Sequence, residues 1–219
     1  MTILLAFDTA AHHCAAALLC GDRLTCRVEP MAQGQAERLF PLLEQMLAEA
    51  DLTWAALDGI GVGTGPGNFT GIRIGVAAAR GLALGLGVPA IGVTAFEAAA
   101  FGLPRPLTVD LPAPRGQIYR QHLTATADLP PELVDGTLLV TDPAPTLAPD
   151  PVPDPAPAQA PKPAPQSAPD PAPDPAAMIA AIARIAASRL GTAQPRPAPC
   201  YARGPDAAPP RDPAPVLLP

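Results

Sequence analysis

The stretch from Gly63 to Leu86 restricts this chain more than any other. It reads Gly63-Thr64-Gly65-Pro66-Gly67-Asn68-Phe69-Thr70-Gly71-Ile72-Arg73-Ile74-Gly75 and continues in a run rich in Ala, Gly and Leu. Ahead of it, Asp58 to Val62 has the apolar pattern of a strand, Gly65-Pro66-Gly67 admits only a sharp turn, and Asn68 or Thr70 can cap a following helix. A strand, a glycine turn and a helix are therefore predicted in that order. On the helix, Gly71, Gly75 and Ala79 recur every four residues, which leaves one face almost without side chains. Glycine inside a helix costs about 1 kcal/mol relative to Ala. A sequence that accepts this twice points to close packing on that face, either against its own sheet or against a helix of another body, and spacing alone leaves both open.

Such a turn also invites a phosphate, because free backbone N–H groups at a helix N-terminus point at an anion. The residues argue against it. The turn lacks the Gly-Lys-Ser/Thr ending of a P-loop, and Gly65-x-Gly67-x-x-x-Gly71 is one residue longer than the dinucleotide fingerprint.

Around this block the chain reads as alternating elements. Thr2 to Phe7, Ala15 to Cys20 and Leu24 to Val28 form an antiparallel meander, with Gly21-Asp22 as a tight turn. From Ala36 to Ala50 the apolar residues Leu39, Leu42, Leu43, Met46 and Leu47 fall on one side of an amphipathic helix, opposite Glu37, Arg38, Glu44, Gln45 and Glu49. Ala90 to Val93 is a short strand, and Thr94-Ala95-Phe96-Glu97 has the spacing of a capping box. Leu107 to Asp110 and Gln117 to Leu123 are strands around Arg115-Gly116. Asp174-Pro175 opens a last helix, with Met178, Ile179, Ile182, Ile185 and Ala186 on one face and Gly191 as its stop.

With 219 residues and 33 prolines, the chain is not an ordinary globular mixture. Residues 143 to 175 hold fourteen of those prolines, and only Leu147 and Val152 there are large and apolar. Such a segment has too little to bury and is expected to be an extended, disordered insertion. A formal net charge of −6 argues against a large nucleic-acid surface, since phosphate contacts need clustered Lys and Arg. Cys14, Cys20, Cys26 and Cys200 show no C-x-x-C spacing and read as reduced, packed thiols. The histidines are His12, His13 and His122, and the adjacent pair points in different directions, so no metal site is expected. Asp8 interrupts the N-terminal apolar run, and no later segment is expected to span a bilayer, so the reading is cytoplasmic.

The block Gly65-Pro66-Gly67-Asn68-Phe69-Thr70-Gly71-Ile72-Arg73-Ile74-Gly75, with Ala83 to Leu86 behind it, closely resembles the Gly-Pro-Gly-Ser-Phe-Thr-Gly-x-Arg-x-Gly block of TsaB proteins. Arg115-Gly116-Gln117-Ile118-Tyr119 resembles their Arg-Gly-x-Val-Tyr strand, lengthened here by an insertion containing Pro112 and Pro114. The ending Pro199-Cys200-Tyr201-Ala202-Arg203-Gly204-Pro205-Asp206-Ala207 resembles their Pro-x-Tyr-x-Arg-x-x-Asp-Ala. The resemblance covers residues 1 to 123 and 176 to 208. It implies an α/β, actin-like ATPase (ribonuclease H-like) fold, a mixed sheet with helices in two lobes, the second interrupted by the Pro-rich segment. The corresponding domains are an N-terminal lobe over 1–103, the start of a second lobe over 104–142, the insertion over 143–175, a second-lobe helix and C-terminal segment over 176–208, and a Pro-rich tail over 209–219.

Functionally, the resemblance implies a non-catalytic subunit that binds and stabilises a TsaD-like transferase in threonylcarbamoylation of the tRNA adenosine beside the anticodon. The implied partners are the TsaD-like subunit and a TsaE-like ATPase, a homodimer when the chain is alone, and tRNA only through the complex. The implied partner interface is a helical bundle involving Leu39, Leu43, Met46, Gly71, Arg73, Gly75 and Ala79. The departures point away from catalysis. Gln35 stands where the family commonly has His, and Thr94-Ala95-Phe96-Glu97-Ala98-Ala99-Ala100 replaces the metal-binding His-x-x-x-His of TsaD-like paralogues. Thr9-Ala10-Ala11 follows Asp8 where actin-like ATPases have a glycine turn, which makes Asp8 structural or vestigial. No catalytic residue, cofactor or metal is therefore expected. The rival readings are a stand-alone actin-like phosphotransferase or M22-type glycopeptidase, resting on Asp8 and the glycine turn, and a dinucleotide-binding domain, against which the opening meander counts.

Overall fold

Alternation along the first strands decides the layers. In β1 (Ile3–Asp8), Leu4 and Ala6 face one way while Leu5 and Phe7 face the other, and all four are fully buried. A strand covered on both faces needs helices above and below it. The computed structural model describes residues 1–126, 128–135 and 173–202. Most of the expected Pro-rich insertion, the tail over 209–219, and Arg203, Asp206 and Ala207 of the C-terminal motif lie outside the described residues.

β1 pairs antiparallel with β2 (His13–Cys20), which pairs antiparallel with β3 (Arg23–Pro30). On its other side β1 runs parallel to β4 (Gly59–Gly63), and β4 runs parallel to β5 (Ala90–Val93). The strand order is therefore β3-β2-β1-β4-β5. The meander and parallel extension are those of the actin-like, ribonuclease H-like fold. Helices α1 (Gln35–Glu49) and α2 (Phe69–Leu86) cover one face, where Leu39, Leu42, Leu43, Met46 and Ala79 meet Leu5, Phe7, Leu18, Ile60 and Val62.

The opposite face is covered by α4 (Pro175–Ser188). Its Ile179, Ile182 and Ile185 bury Leu4, Ala6, Ala17 and Leu19. The sequence reading placed this helix in the second lobe, and the structure corrects that. Two features hold it on the first sheet. Glycine at 61 leaves room for the Ala186 methyl, since a Cβ there would stand 2.9 Å from it. Arg189 after the helix donates to the Gly92 carbonyl at 3.3 Å and pairs with Glu97. Without α4 the outer face of β1, β2 and β4 is bare apolar surface, so a chain cut before residue 143 lacks half of its first-lobe core.

The second sheet has the order β6-β7-β8, from Leu107–Pro112, Gln117–Leu123 and Glu132–Asp135, all antiparallel. Val109, Leu111, Tyr119 and Leu123 pack on Phe96 and Ala100 at the short helix α3 (Ala95–Ala99), which joins the two sheets. The capping box is present: Thr94 Oγ1 accepts from the Glu97 N–H at 3.1 Å, and Glu97 Oε2 accepts from the Thr94 N–H at 2.7 Å.

Candidate functional site: the glycine turn, the cleft and the outer line of α2

The turn after β4 lies directly on the turn after β1. Asn68 caps α2, its Oδ1 accepting the Gly71 N–H at 2.9 Å, and its own N–H donates to the Ala10 carbonyl at 2.6 Å. Thr9, buried, donates its hydroxyl to the Gly71 carbonyl at 2.7 Å. This contact explains the glycines. A Cβ on Gly71 would stand 1.9 Å from the Thr9 carbonyl oxygen, one on Gly67 2.3 Å from that of Ala10, and one on Gly75 2.9 Å from Thr9 Oγ1. Real Cβ atoms essentially never come within 3.0 Å of other heavy atoms, and at Gly71 and Gly67 the obstacle is backbone, so the bare face of α2 is spent on its own lobe.

Six of the seven residues expected at a partner interface are likewise taken up by the chain's own lobe. Leu39, Leu43 and Met46 are buried against β2 and its neighbours, and Gly71, Gly75 and Ala79 are buried under the β1 end of the sheet. Of the seven residues expected at a partner interface, Arg73 alone is exposed. Helical periodicity reveals that a face is buried; it carries no signal for which body buries it.

Beside the locked turns lies a cleft of about 570 Å³. Its floor is Asp8, Ala10, Gly63, Gly65 and Pro66, and its far wall is Leu111, Pro112, Pro114 and Tyr119 of the second sheet with Met178 and Ile182 of α4. Asp8 Oδ1 accepts the Ala10 N–H at 3.0 Å, and Oδ2 stands 3.7 Å from His13 Nε2. The carboxylate is thus used to fold its own turn, and Gly63 is bare because a Cβ there would meet Asp8 Oδ1 at 2.4 Å. His12 and His13 both border the cleft, His12 exposed and His13 half-buried. Among the described residues no group of three or more His, Cys, Asp or Glu side chains could hold a metal. Cys14 is buried, and burial pushes its thiol up to about 11, so it is protonated at neutral pH. Burial also raises Cys200, whereas Cys26 is exposed on β3, contrary to the expected packing of the thiols.

The outer side of α2 is a different surface. Phe69, Arg73, Ala77, Arg80 and Leu84 form one exposed line, with Phe69 51% and Leu84 87% accessible. At 18 residues α2 is long and apolar enough to cross a bilayer, contrary to the sequence expectation, although its inner face is packed on β4. The C-terminal segment crosses the start of this line. Cys200 N–H donates to the Thr64 carbonyl at 2.7 Å, Arg80 Nε to the Pro197 carbonyl at 2.7 Å, and Arg73 Nε to Tyr201 Oη at 2.9 Å. The Arg73 guanidinium lies 3.7 Å from the centre of the Phe69 ring, which is 5.3 Å from that of Tyr201. The two motifs singled out at Gly65 and Tyr201 are therefore in contact. Sequence reading found both segments, but not that Phe69 and Tyr201 meet, because 132 positions separate them; the paired aromatic and Arg within each motif was the available signal.

The family model described as "TsaD: tRNA N6-adenosine threonylcarbamoyltransferase" matches residues 29–124. The chain is 38% identical over 103 residues to the Haemophilus influenzae tRNA threonylcarbamoyladenosine biosynthesis protein TsaB, covering 46% of this chain and 44% of that one. It is 34% identical over 99 residues to the Escherichia coli protein of the same name, covering 45% and 43%. Among solved structures, YeaZ from Pseudomonas aeruginosa superposes with a TM-score of 0.53 at 27% identity, covering 64% of this chain and 71% of that one. The chain spans less than half the length of the curated relatives it matches.

Proposed function

We propose, from the premise that this chain belongs to the TsaB/YeaZ family, that it is a non-catalytic subunit in the formation of threonylcarbamoyladenosine beside the tRNA anticodon. In this reading it docks on a TsaD-like transferase and stabilises it. A TsaE-like ATPase joins the same assembly, tRNA is reached only through the complex, and the chain alone forms a homodimer. The observation that carries the reading is the outer line of α2, an exposed apolar and basic surface on a helix whose inner face is already fully used.

Three local arrangements support an absence of catalysis on this chain. Two of the N–H groups at the start of α2 that could meet a phosphate, those of Asn68 and Gly71, are taken by the Ala10 carbonyl and Asn68 Oδ1. The position of the metal-binding His pair in TsaD-like paralogues is occupied by a capping box whose Glu97 pairs with Arg189. Asp8 is engaged by its own turn. A negatively charged chain with this fold suits a supporting subunit better than one that holds tRNA itself.

The test is co-purification from native extract followed by nucleoside analysis of tRNA after depletion of this chain. A TsaD-like protein in the eluate, with loss of threonylcarbamoyladenosine from tRNA, is the expected result. ATP turnover by the isolated chain that Asp8→Asn abolishes would overturn it in favour of a phosphotransferase.

A further inference from the structure

We propose that the stack of Phe69, Arg73 and Tyr201 is a preformed seat for a carboxylate side chain of the TsaD-like subunit, and so the anchor of that association. The inference rests on the function proposed above and names the group by which the partner is recognised. Arg73 spends Nε on Tyr201 Oη, at 2.9 Å, and sets its guanidinium carbon over the Phe69 ring, 3.7 Å from the ring centre. That arrangement holds a long side chain still while its two terminal nitrogens remain directed away from the bond to Tyr201. Among the described residues no carboxylate forms an ion pair with Arg73. Among the described residues Arg27, Arg38, Arg105, Arg120 and Arg189 each pair with a carboxylate, whereas Arg73 is held by two rings and a hydroxyl.

Charge points to the same kind of partner. α2 carries Arg73 and Arg80 and no Asp or Glu, in a chain whose formal net charge is −6. Arg80 donates Nε to the Pro197 carbonyl as Arg73 donates Nε to Tyr201, and of the two Arg73 is the one also held over an exposed aromatic ring. A stacked guanidinium presents two parallel N–H donors to a carboxylate, and binding hot spots draw on Tyr and Arg held in this way, because the ordering cost is met before association. Tyr201 reaches the stack only because the Thr64 carbonyl and Arg80 hold the C-terminal segment in place, so the seat is assembled from both ends of the fold.

The experiment measures binding of the full chain to the TsaD-like subunit of the same organism by titration calorimetry at low and high salt. Variants are Arg73→Ala, Arg73→Lys and Tyr201→Phe, with Arg184→Ala on the exposed side of α4 as control. The proposal expects Arg73→Ala to weaken binding tenfold or more and flatten its salt dependence, Arg73→Lys to recover part of the affinity, Tyr201→Phe to weaken binding severalfold, and the control to match wild type. Binding of all variants within twofold of wild type overturns the seat while leaving the proposed function standing. Loss confined to self-association, read by sedimentation, overturns it too, by making a second copy the occupant. No binding by wild type overturns both readings. Circular dichroism on each variant shows that it is folded, and Tyr201→Phe removes one hydroxyl without altering packing.

Discussion

The two sides of α2 differ in what they ask of the sequence. On the inner side, Gly71 and Gly75 let the helix lie on the Thr9 carbonyl and hydroxyl, with no space for one added carbon. On the outer side, Leu84 is 87% accessible, and a Cβ added at Gly81 or Gly85 would find open space among the described residues. Small residues on both sides look alike in a sequence, yet one set is required by the fold and the other leaves a surface open. The proposed partner contact accordingly lies on the exposed line of Phe69, Arg73, Ala77, Arg80 and Leu84, the glycine face being taken up by the chain's own lobe.

The largest effect is expected on the inner side. Gly71→Ala drives a methyl into backbone that cannot retreat without separating the two turns, and should cost about 3 kcal/mol or more. Gly75→Leu should likewise lower the melting temperature sharply instead of leaving a folded, non-associating chain. Calorimetric melting checks both, and a Gly71→Ala chain as stable as wild type would break the inner half of the comparison.

Next in size is Leu84→Asp on the outer side. Truncating an apolar contact and burying a charge at an interface should weaken association roughly tenfold, while stability stays within about 0.5 kcal/mol of wild type. Titration against the TsaD-like subunit, with melting measured on the same samples, sharpens the distinction between the two sides.

A smaller effect is expected at Glu97, where α3 and α4 are joined. Burial pushes this carboxyl up, but hydrogen bonds from the Thr94 backbone and Arg189 outweigh it and hold the pKa below the ordinary carboxylate range. Its folded value is thus lower than its unfolded one, so the stabilisation is present above about pH 4 and is lost as pH falls through the folded value. Glu97→Gln should cost about 1 kcal/mol at neutral pH and remove that part of the acid dependence. Melting curves from pH 7 to pH 3 measure it. The smallest effect is reserved for deletion of residues 145 to 172, which by composition should leave the unfolding transition nearly unchanged.

Much of the first lobe was legible because its signals are local. The capping box at Thr94, the Asn68 cap, the Asp174-Pro175 start and the tight turn at Gly21 each depend on residues within one turn of chain. The place of α4 was not legible, because Ile179, Ile182 and Ile185 state only that an apolar face exists, and its sheet lies more than 80 positions back along the chain. β8 was missed for a related reason, since Glu132–Asp135 is short and its pairing with β7 is its main support. The site divided in the same way: the glycine turn could be read, whereas the meeting of Phe69, Arg73 and Tyr201 is a product of the fold.

Thiol accessibility at neighbouring positions of α2 tests the central claim most directly. Ala77→Cys places a thiol on the exposed outer line, and the native Cys26, exposed on β3, serves as an internal reference. The account predicts that Ala77→Cys reacts readily with a maleimide in the free chain and becomes protected when the TsaD-like subunit is added, while Cys26 keeps its rate. A complex in which Ala77→Cys reacts as fast as in the free chain would contradict it, because the outer side of α2 would then not be where the partner sits.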